Sequence, residues 1–266
     1  MALINTTFKS IALGRNVSFT AVLPVDNIDY LNERNRSLKG PYKTLYLLNG
    51  LYGDCTEWLT HTDIKRIAER NNLAVIMPSG ENSFYRNHIE DNRLFSTYIG
   101  VELVDITRDM FNLSNKKEDT FIGGYSMGGY GALYNGFKYN NRFSKIIALS
   151  PALILENKFD KDNKSSFKYN QNFFEWCFGS SQNIVKTEAN PEVLLNNLIY
   201  NNEFIPDIYL ACGEDDDLIG SCRKFKGFLD DSHIDFRYKE GKGGHEWDYW
   251  NGLMDDIIKW LNIEYK

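Results

Sequence analysis

Apolar segments of two kinds alternate along this chain, and their order constrains the fold more than any other feature. Short runs such as Leu73-Ala-Val-Ile-Met77 are typical of strands buried on both faces, and longer segments with apolar residues at helical spacing follow them. Strand-like runs lie at 11–23 (an early antiparallel pair), 44–48, 73–77, 120–125, 145–149, 208–212 and 234–238, and helix-like segments at 62–71, 99–111, 130–139, 219–230 and 247–261. The alternation predicts an α/β fold, with a mainly parallel central sheet and helices on both faces.

The segment between about residues 152 and 206 interrupts this alternation. A polar run at 156–168 is followed by an aromatic group that contains Phe173, Phe174, Trp176 and Phe178. Because so few residues could bury little core of their own, we expect one domain over residues 1–266, with 152–206 inserted as a small cap. The aromatic group is expected either to form the core of the cap or to line a cleft, where it would favour an apolar acyl or aryl group.

Composition and charge exclude several classes of function. The chain has 266 residues, of which 30 are basic and 36 acidic, so its net charge is −6. A chain with this charge lacks the excess of basic residues that binds a nucleic-acid phosphate backbone. No apolar run approaches the roughly 18–20 residues that span a bilayer, the N-terminal segment does not read as a signal peptide, and the four cysteines form no Cys-x-x-Cys. We therefore expect a cytoplasmic protein that binds neither nucleic acid nor membrane. The sequence does not decide whether the protein forms a homo-oligomer.

A glycine cluster is the strongest local signal for chemistry. Gly124-x-Ser126-x-Gly128 lies where a predicted strand runs into a predicted helix. A chain that reverses within so few residues holds its central serine in a strained conformation, and the flanking glycines allow the strand and the helix to approach closely. This is the pattern of the nucleophile elbow of α/β-hydrolases; the alternative is a glycine-rich turn with an incidental serine.

A serine hydroxyl needs a base to act as a nucleophile at neutral pH. His245 lies in a glycine-rich loop before the last predicted helix, where a hydrolase-fold histidine enters the site. His61 is an alternative that could line the site, whereas His88 and His233 have no supporting context and are expected at the surface. We therefore predict that His245 is the base for Ser126.

The acid that orients the histidine should follow a strand and lie between the serine and the histidine in the chain. Three adjacent residues, Asp215, Asp216 and Asp217, meet both conditions after the run 208–212. Their spacing does not distinguish them, and a solvated turn or helix cap is the alternative for all three.

The loop Asn49-Gly-Leu-Tyr-Gly53 follows the strand-like run 44–48 and is expected to help bind a developing oxyanion. The two donors should be the backbone N–H groups of Leu51 and Met127. No nucleotide-binding glycine pattern and no paired-histidine metal pattern is present, so we expect no cofactor and no metal. The residues expected to line the substrate pocket are aromatic: Tyr52, Trp58, Tyr125, Trp176 and Trp247.

Six segments occur along the chain in a specific order: 47–53, 58–61, 77–80, 123–129, 212–218 and 243–247. In these segments the whole chain resembles the esterase D-like group of α/β-hydrolases, and in particular its bacterial tributyrin-esterase branch. The resemblance implies an α/β-hydrolase fold, hydrolysis of short-chain acyl esters and Asp216 as the acid. The group commonly has His-Gly where this chain has Asn49-Gly50, which puts the position of that loop and the substrate preference in question.

The same group includes S-formylglutathione hydrolases and feruloyl and acetyl esterases of plant-wall sugars. The motifs therefore leave three hypotheses: a short-chain carboxylesterase, including one that acts on acetylated or feruloylated carbohydrate; a thioesterase of the S-formylglutathione type; and a catalytically silent hydrolase fold. The complete set of serine, histidine, acid and glycine loop argues against the last.

Overall fold

Eight strands form one sheet in the computed structural model, which describes residues 1–26, 28–29, 34–35, 40–156, 171–179 and 183–263. The strands of this sheet are β1 (Ala2–Ser10), β2 (Arg15–Leu23), β3 (Lys43–Leu48), β4 (Leu73–Pro78), β5 (Thr120–Tyr125), β6 (Lys145–Leu149), β7 (Asp207–Gly213) and β8 (Phe236–Gly241). Their order in the sheet is β1-β2-β4-β3-β5-β6-β7-β8. The pairs β1/β2 and β2/β4 are antiparallel, and every other neighbouring pair is parallel, as the alternation predicted.

Helices cover both faces of this sheet. One face packs on α3, α4 and α7, and the other packs on α2 and α8, so that Ile122 and Phe121 of β5 point into two different cores. Such burial on both faces explains why the central strands are almost entirely apolar. The helices are α1 (Glu57–His61), α2 (Ile64–Arg70), α3 (Leu103–Met110), α4 (Met127–Lys138), α5 (Gln171–Phe178), α6 (Pro191–Tyr200), α7 (Ile219–Asp231) and α8 (Trp247–Leu261).

Four predicted elements had wrong boundaries. The helix predicted at 130–139 is α4, which begins earlier, at Met127. The antiparallel pair expected at 11–23 consists of β1 and β2, and Ile11 lies 87% exposed in the turn that joins them. The helix expected at 99–111 is longer: one α-helical turn at Phe95–Thr97 and a π-helical segment at Tyr98–Glu102 lead into α3. The last strand runs over Phe236–Gly241 rather than 234–238, because this edge strand is only partly buried and its apolar signal is weak.

The segment 152–206 leaves the sheet after β6 and returns at β7. The polar run expected at 156–168 lies outside the described residues except for Glu156. The described remainder contains α5, a 3-10 turn at Ile184–Lys186 and α6. Phe174 and Phe178 are buried in the core that α4 shares, and the hydroxyl of Tyr130 on α4 donates to the carbonyl oxygen of Ala189 (2.5 Å). These contacts join the described part of the segment to the helix that follows Ser126.

Within the described ranges, no helix combines the length and the apolar character that crossing a membrane requires.

Candidate active site

Ser126 lies at the corner between β5 and α4. Its φ of 56° and ψ of −121° belong to a strained conformation for a residue with a side chain. A Cβ on Gly124 would lie 2.5 Å from the backbone carbon and oxygen of Gly128, and a Cβ on Gly128 would overlap the carbonyl oxygen of Leu48. The two glycines are therefore required for the strand, the helix and the neighbouring strand β3 to pack together.

The structure brings together the serine, the histidine and one of the three aspartates. His245 Nε2 lies 2.9 Å from Ser126 Oγ, and His245 Nδ1 lies 2.9 Å from Asp216 Oδ2. The carboxylate is fully buried, whereas the imidazole is 30% exposed. An imidazole between a hydroxyl and a buried carboxylate can take a proton from the hydroxyl while the carboxylate fixes its tautomer.

Burial distinguishes Asp216 from its neighbours, which the spacing in the sequence could not do. Asp216 is 2% exposed, whereas Asp215 and Asp217 are exposed. Burial opposes the ionisation of Asp216, but hydrogen bonds from His245, from the N–H of Leu218 (2.8 Å) and from the Ser150 hydroxyl outweigh it and lower the pKa of the carboxyl. Asp216 is thus held as a carboxylate that accepts from the imidazole.

Sequence reasoning missed Ser150 and Trp250, which support this carboxylate. Ser150 follows β6, is fully buried and has a φ of 43°. The Trp250 indole N–H donates to Ser150 Oγ (3.0 Å), and the Ser150 hydroxyl lowers the pKa of Asp216. The Trp250 ring also packs edge-on against His245, with centroids 5.0 Å apart. One feature of the sequence could have indicated Ser150: it directly follows the strand next to β5, at the carboxyl edge of the sheet where the site residues lie.

The two expected oxyanion donors come from the corner itself and from the loop that follows the neighbouring strand β3. Met127 is the first residue of α4, so its N–H has no acceptor in a preceding helical turn. The Leu51 N–H makes no hydrogen bond to any described residue of the chain. Asn49, the first residue of the loop, is fully buried, and its side chain donates to the carbonyl oxygens of Gly50 (2.7 Å) and Gly53 (2.9 Å).

Comparison with known proteins decides the family. The profile of the Esterase family matches residues 10–261 of the chain. The chain belongs to the Esterase family. It is 39% identical over 264 residues to an acetyl esterase of Caldicellulosiruptor saccharolyticus, with 98% of each sequence covered.

Two solved structures from Staphylococcus aureus are also similar to this esterase over 99% of each chain. One is the fluorophosphonate-binding serine hydrolase F, with 30% identity and a TM-score of 0.84. The other is the S-formylglutathione hydrolase FrmB, with 30% identity and a TM-score of 0.80. The chain is therefore a carboxylic ester hydrolase with the α/β-hydrolase fold, and the resemblance inferred from its sequence is confirmed.

Two of the five aromatic residues expected to line the pocket of the esterase are buried instead. Trp58 is 1% exposed, its indole N–H donates to the carbonyl oxygen of Leu48 (3.1 Å), and its ring packs against Tyr125, which is 6% exposed. The prediction was wrong for Trp58 and Tyr125, because both rings fill the core behind the site. Tyr52, 66% exposed, and Trp247, partly exposed against Trp58 and Tyr125, still offer surface to a ligand.

Trp176 lies on α5, beside His88. Its ring stacks on His88 with centroids 4.1 Å apart, and its indole N–H donates to Asp91 (3.2 Å). It lines a cavity of about 600 Å³ between 86–91 and 175–179, and its place in the substrate pocket stays a prediction. The expected surface location of His88 was wrong, because His88 is 8% exposed beneath that ring.

Proposed function

We propose that this esterase is a serine carboxylesterase that hydrolyses short-chain acyl esters at Ser126. The observation that carries the proposal is the continuous pair of 2.9 Å contacts from Ser126 Oγ through His245 to Asp216. The three groups come from the carboxyl ends of different strands, so their convergence depends on the whole sheet.

In the first half-reaction, Ser126 Oγ attacks the carbonyl carbon of the ester while its proton passes to His245 Nε2. The carbonyl oxygen becomes an oxyanion, which the N–H groups of Leu51 and Met127 stabilise. As the tetrahedral intermediate collapses, the bond to the alcohol oxygen breaks and His245 returns the proton to the leaving alcohol. The acyl group stays on Ser126.

In the second half-reaction, a water molecule takes the place of the alcohol. His245 removes its proton as the water oxygen attacks the acyl carbon, and the same two N–H groups bind the new oxyanion. Collapse breaks the bond to Ser126 Oγ, which regains its proton from His245. Side chains, backbone N–H groups and water complete both half-reactions, so no cofactor is required.

The proposed substrate is a small-molecule ester with a short acyl chain, of the acetyl or tributyrin type. The name of the relative that is 39% identical, acetyl esterase, favours this class. We further propose that Tyr52 and Trp247 line the pocket, since Tyr52 is exposed within the oxyanion loop and Trp247, near His245 in the chain, is partly exposed.

We also propose that the chain acts as one domain, with residues 152–206 as its cap. The Cys177 thiol on α5 contacts the carbonyl oxygen of Asn82 (3.5 Å), whose side chain accepts from the Tyr52 N–H (2.8 Å). The cap segment is thereby connected to the oxyanion loop. The four free thiols favour the reducing cytoplasm as the location of the enzyme.

The decisive experiment is labelling with a fluorophosphonate, which reacts with activated serine nucleophiles. We expect one equivalent of label on the wild-type chain, loss of nitrophenyl acetate hydrolysis in parallel, and neither labelling nor hydrolysis in Ser126→Ala. Ser150→Ala provides a second buried serine as control and should still be labelled. Labelling that persists in Ser126→Ala would refute the assignment of the nucleophile.

A thioesterase of the S-formylglutathione type is the second candidate function. It is favoured by the 30% identity to S-formylglutathione hydrolase FrmB, as high as that to serine hydrolase F. Turnover of nitrophenyl acetate, butyrate and octanoate, methyl ferulate and S-formylglutathione distinguishes the candidates. We expect the highest kcat/KM with acetate or butyrate; a higher value with S-formylglutathione would favour the thioesterase, and one with methyl ferulate a feruloyl esterase.

A further inference from the structure

Asn49 occupies the position at which the resembled family commonly has histidine, and its side chain has four close polar contacts. The amide nitrogen donates to the carbonyl oxygens of Gly50 (2.7 Å) and Gly53 (2.9 Å), the two ends of the oxyanion loop. The amide oxygen accepts from the N–H of Gly80 (2.9 Å) and from the hydroxyl of Tyr85 (2.9 Å). The side chain is fully buried, so it has no competing contact with solvent.

The bond to the Gly50 carbonyl has a direct geometric consequence for Leu51. The carbonyl of Gly50 and the N–H of Leu51 belong to the same planar trans peptide, so they point in opposite directions. A donor that holds the carbonyl therefore also fixes the direction of the Leu51 N–H. The bond to the Gly53 carbonyl anchors the other end of the loop, so the peptide cannot rotate freely.

The orientation of the carboxamide is itself fixed. If the amide were flipped, its two N–H donors would face the Gly80 N–H and the Tyr85 hydroxyl, while its oxygen would face two carbonyl oxygens. Tyr85 is fully buried, and its hydroxyl lies 2.9 Å from both the side-chain and the backbone oxygen of Asn49. Only one orientation of Asn49 satisfies all of these groups.

We infer that Asn49 is the positioning residue of the oxyanion hole, and that Tyr85 holds Asn49 in place. A carboxamide suits this task because it presents two donors on one atom and an acceptor on another. A neutral imidazole has one donor and one acceptor nitrogen, so histidine at this position could hold only one of the two carbonyls. The inference rests on the proposed function, because Asn49 would act only through the Leu51 N–H.

The test compares Asn49→Ala with the wild type. Asn49→Ala removes both amide donors and leaves the Gly50 carbonyl only the longer bond from the Gly53 N–H (3.3 Å). We expect kcat for nitrophenyl acetate to fall by about 10²- to 10³-fold, the effect of losing one oxyanion donor. KM should change by less than about threefold. The affinity for a trifluoromethyl ketone, which forms a charged hemiketal on the serine, should fall by the same factor as kcat. In Tyr85→Phe, which keeps the ring but removes the hydroxyl, kcat should fall by about tenfold. In Asn49→His, kcat should be higher than in Asn49→Ala but lower than in the wild type.

Asn190→Ala is the matched control. The Asn190 amide also donates to a backbone carbonyl oxygen, that of Val185 (3.0 Å), and accepts from a backbone N–H, that of Glu192 (3.1 Å), but it contacts neither Asn49 nor Tyr85. We expect a decrease in the melting temperature with kcat within about threefold of the wild type. A loss of kcat in Asn190→Ala equal to that in Asn49→Ala, or unchanged kcat and ketone affinity in Asn49→Ala and Tyr85→Phe, would overturn the inference. A wild type that fluorophosphonate fails to label would instead refute the proposed function.

Discussion

The nucleophile corner and the oxyanion loop lie at the ends of neighbouring strands, but they obtain their shapes in opposite ways. At the corner, Gly124 and Gly128 have no side chains, so backbone packs directly on backbone. At the loop, the side chains of Asn49 and Tyr85 hold the backbone from outside. In the proposed mechanism, the Met127 N–H at the corner and the Leu51 N–H in the loop both bind the oxyanion. The mechanism therefore depends both on backbone packing and on side-chain hydrogen bonds.

This difference predicts different responses to substitution. A clash between backbone atoms can be relieved only by moving a strand or a helix, whereas a lost side-chain hydrogen bond leaves the other contacts in place. We therefore expect nearly complete loss of function at the corner and partial losses at positions supported by side chains.

The largest effect is expected for Gly128→Ala. The new Cβ would overlap the carbonyl oxygen of Leu48 and lie 2.7 Å from that of Asn49, so both the nucleophile and the oxyanion loop must shift. Misplacing the nucleophile and losing an oxyanion donor each cost about 10²-fold or more, and we expect kcat/KM to fall by about 10⁴-fold or more. Steady-state kinetics measure the fall in kcat/KM, and fluorophosphonate labelling and thermal unfolding of the same sample test whether the nucleophile is still reactive and the chain still folded. Activity within tenfold of the wild type would show that the corner is not constrained by backbone packing.

The next largest effect is expected for Asp216→Asn. An asparagine favours the wrong tautomer of His245 and stabilises the imidazolium poorly. We expect kcat to fall by about 10³- to 10⁴-fold with an unchanged fold. Asp215→Asn and Asp217→Asn, both exposed, are matched controls that should keep kcat within about twofold. A large loss in either control, with near-normal activity in Asp216→Asn, would move the acid to the other residue.

The sequence was informative where the structure depends on local pattern. The runs 120–125 and 145–149 coincide with β5 and β6, and the glycine spacing around Ser126 predicted the strand-to-helix corner. The sequence could not choose between the three aspartates, because the choice depends on which carboxylate is buried beneath His245. It also missed the support that Tyr85 gives to Asn49, since 36 residues separate them in the chain. Long-range contacts between side chains leave no periodic signal.

A smaller effect is expected for Ser150→Ala, which tests side-chain support on the acid side. The Ser150 hydroxyl lowers the pKa of Asp216, so its loss should raise that pKa and destabilise the folded carboxylate. We expect kcat to fall by about tenfold and the free energy of unfolding at pH 7 to fall by roughly 1.5–3 kcal/mol, as for a hydrogen bond to a charged group. Urea unfolding at a series of pH values measures the second effect.

The pH dependence of that difference has a definite sign. A carboxyl whose pKa is lowered on folding contributes stability above its unfolded pKa, near 3.8, and the contribution disappears as the pH falls through the folded value. The difference between wild type and Ser150→Ala should therefore be full at pH 7 and shrink in acid. Trp250→Phe, which keeps the serine hydroxyl, should not reproduce this pH dependence. A difference that is constant with pH would mean that Ser150 acts through packing alone.

The smallest effect is expected for a glycine that neither packs against backbone at the nucleophile corner nor belongs to the oxyanion loop. The chain contains 20 glycines, and Gly252, exposed in the middle of α8, has no heavy atom within 4 Å of the place where a Cβ would lie. Because alanine loses less backbone entropy than glycine in a helix, Gly252→Ala should raise the free energy of unfolding by roughly 0.5–1 kcal/mol. Chemical denaturation and steady-state kinetics should show this gain with unchanged kcat. If Gly252→Ala lost as much stability or activity as Gly128→Ala, alanine would be harmful at any glycine of the chain. The backbone contact with Leu48 would then no longer explain why Gly128 is required at the nucleophile corner.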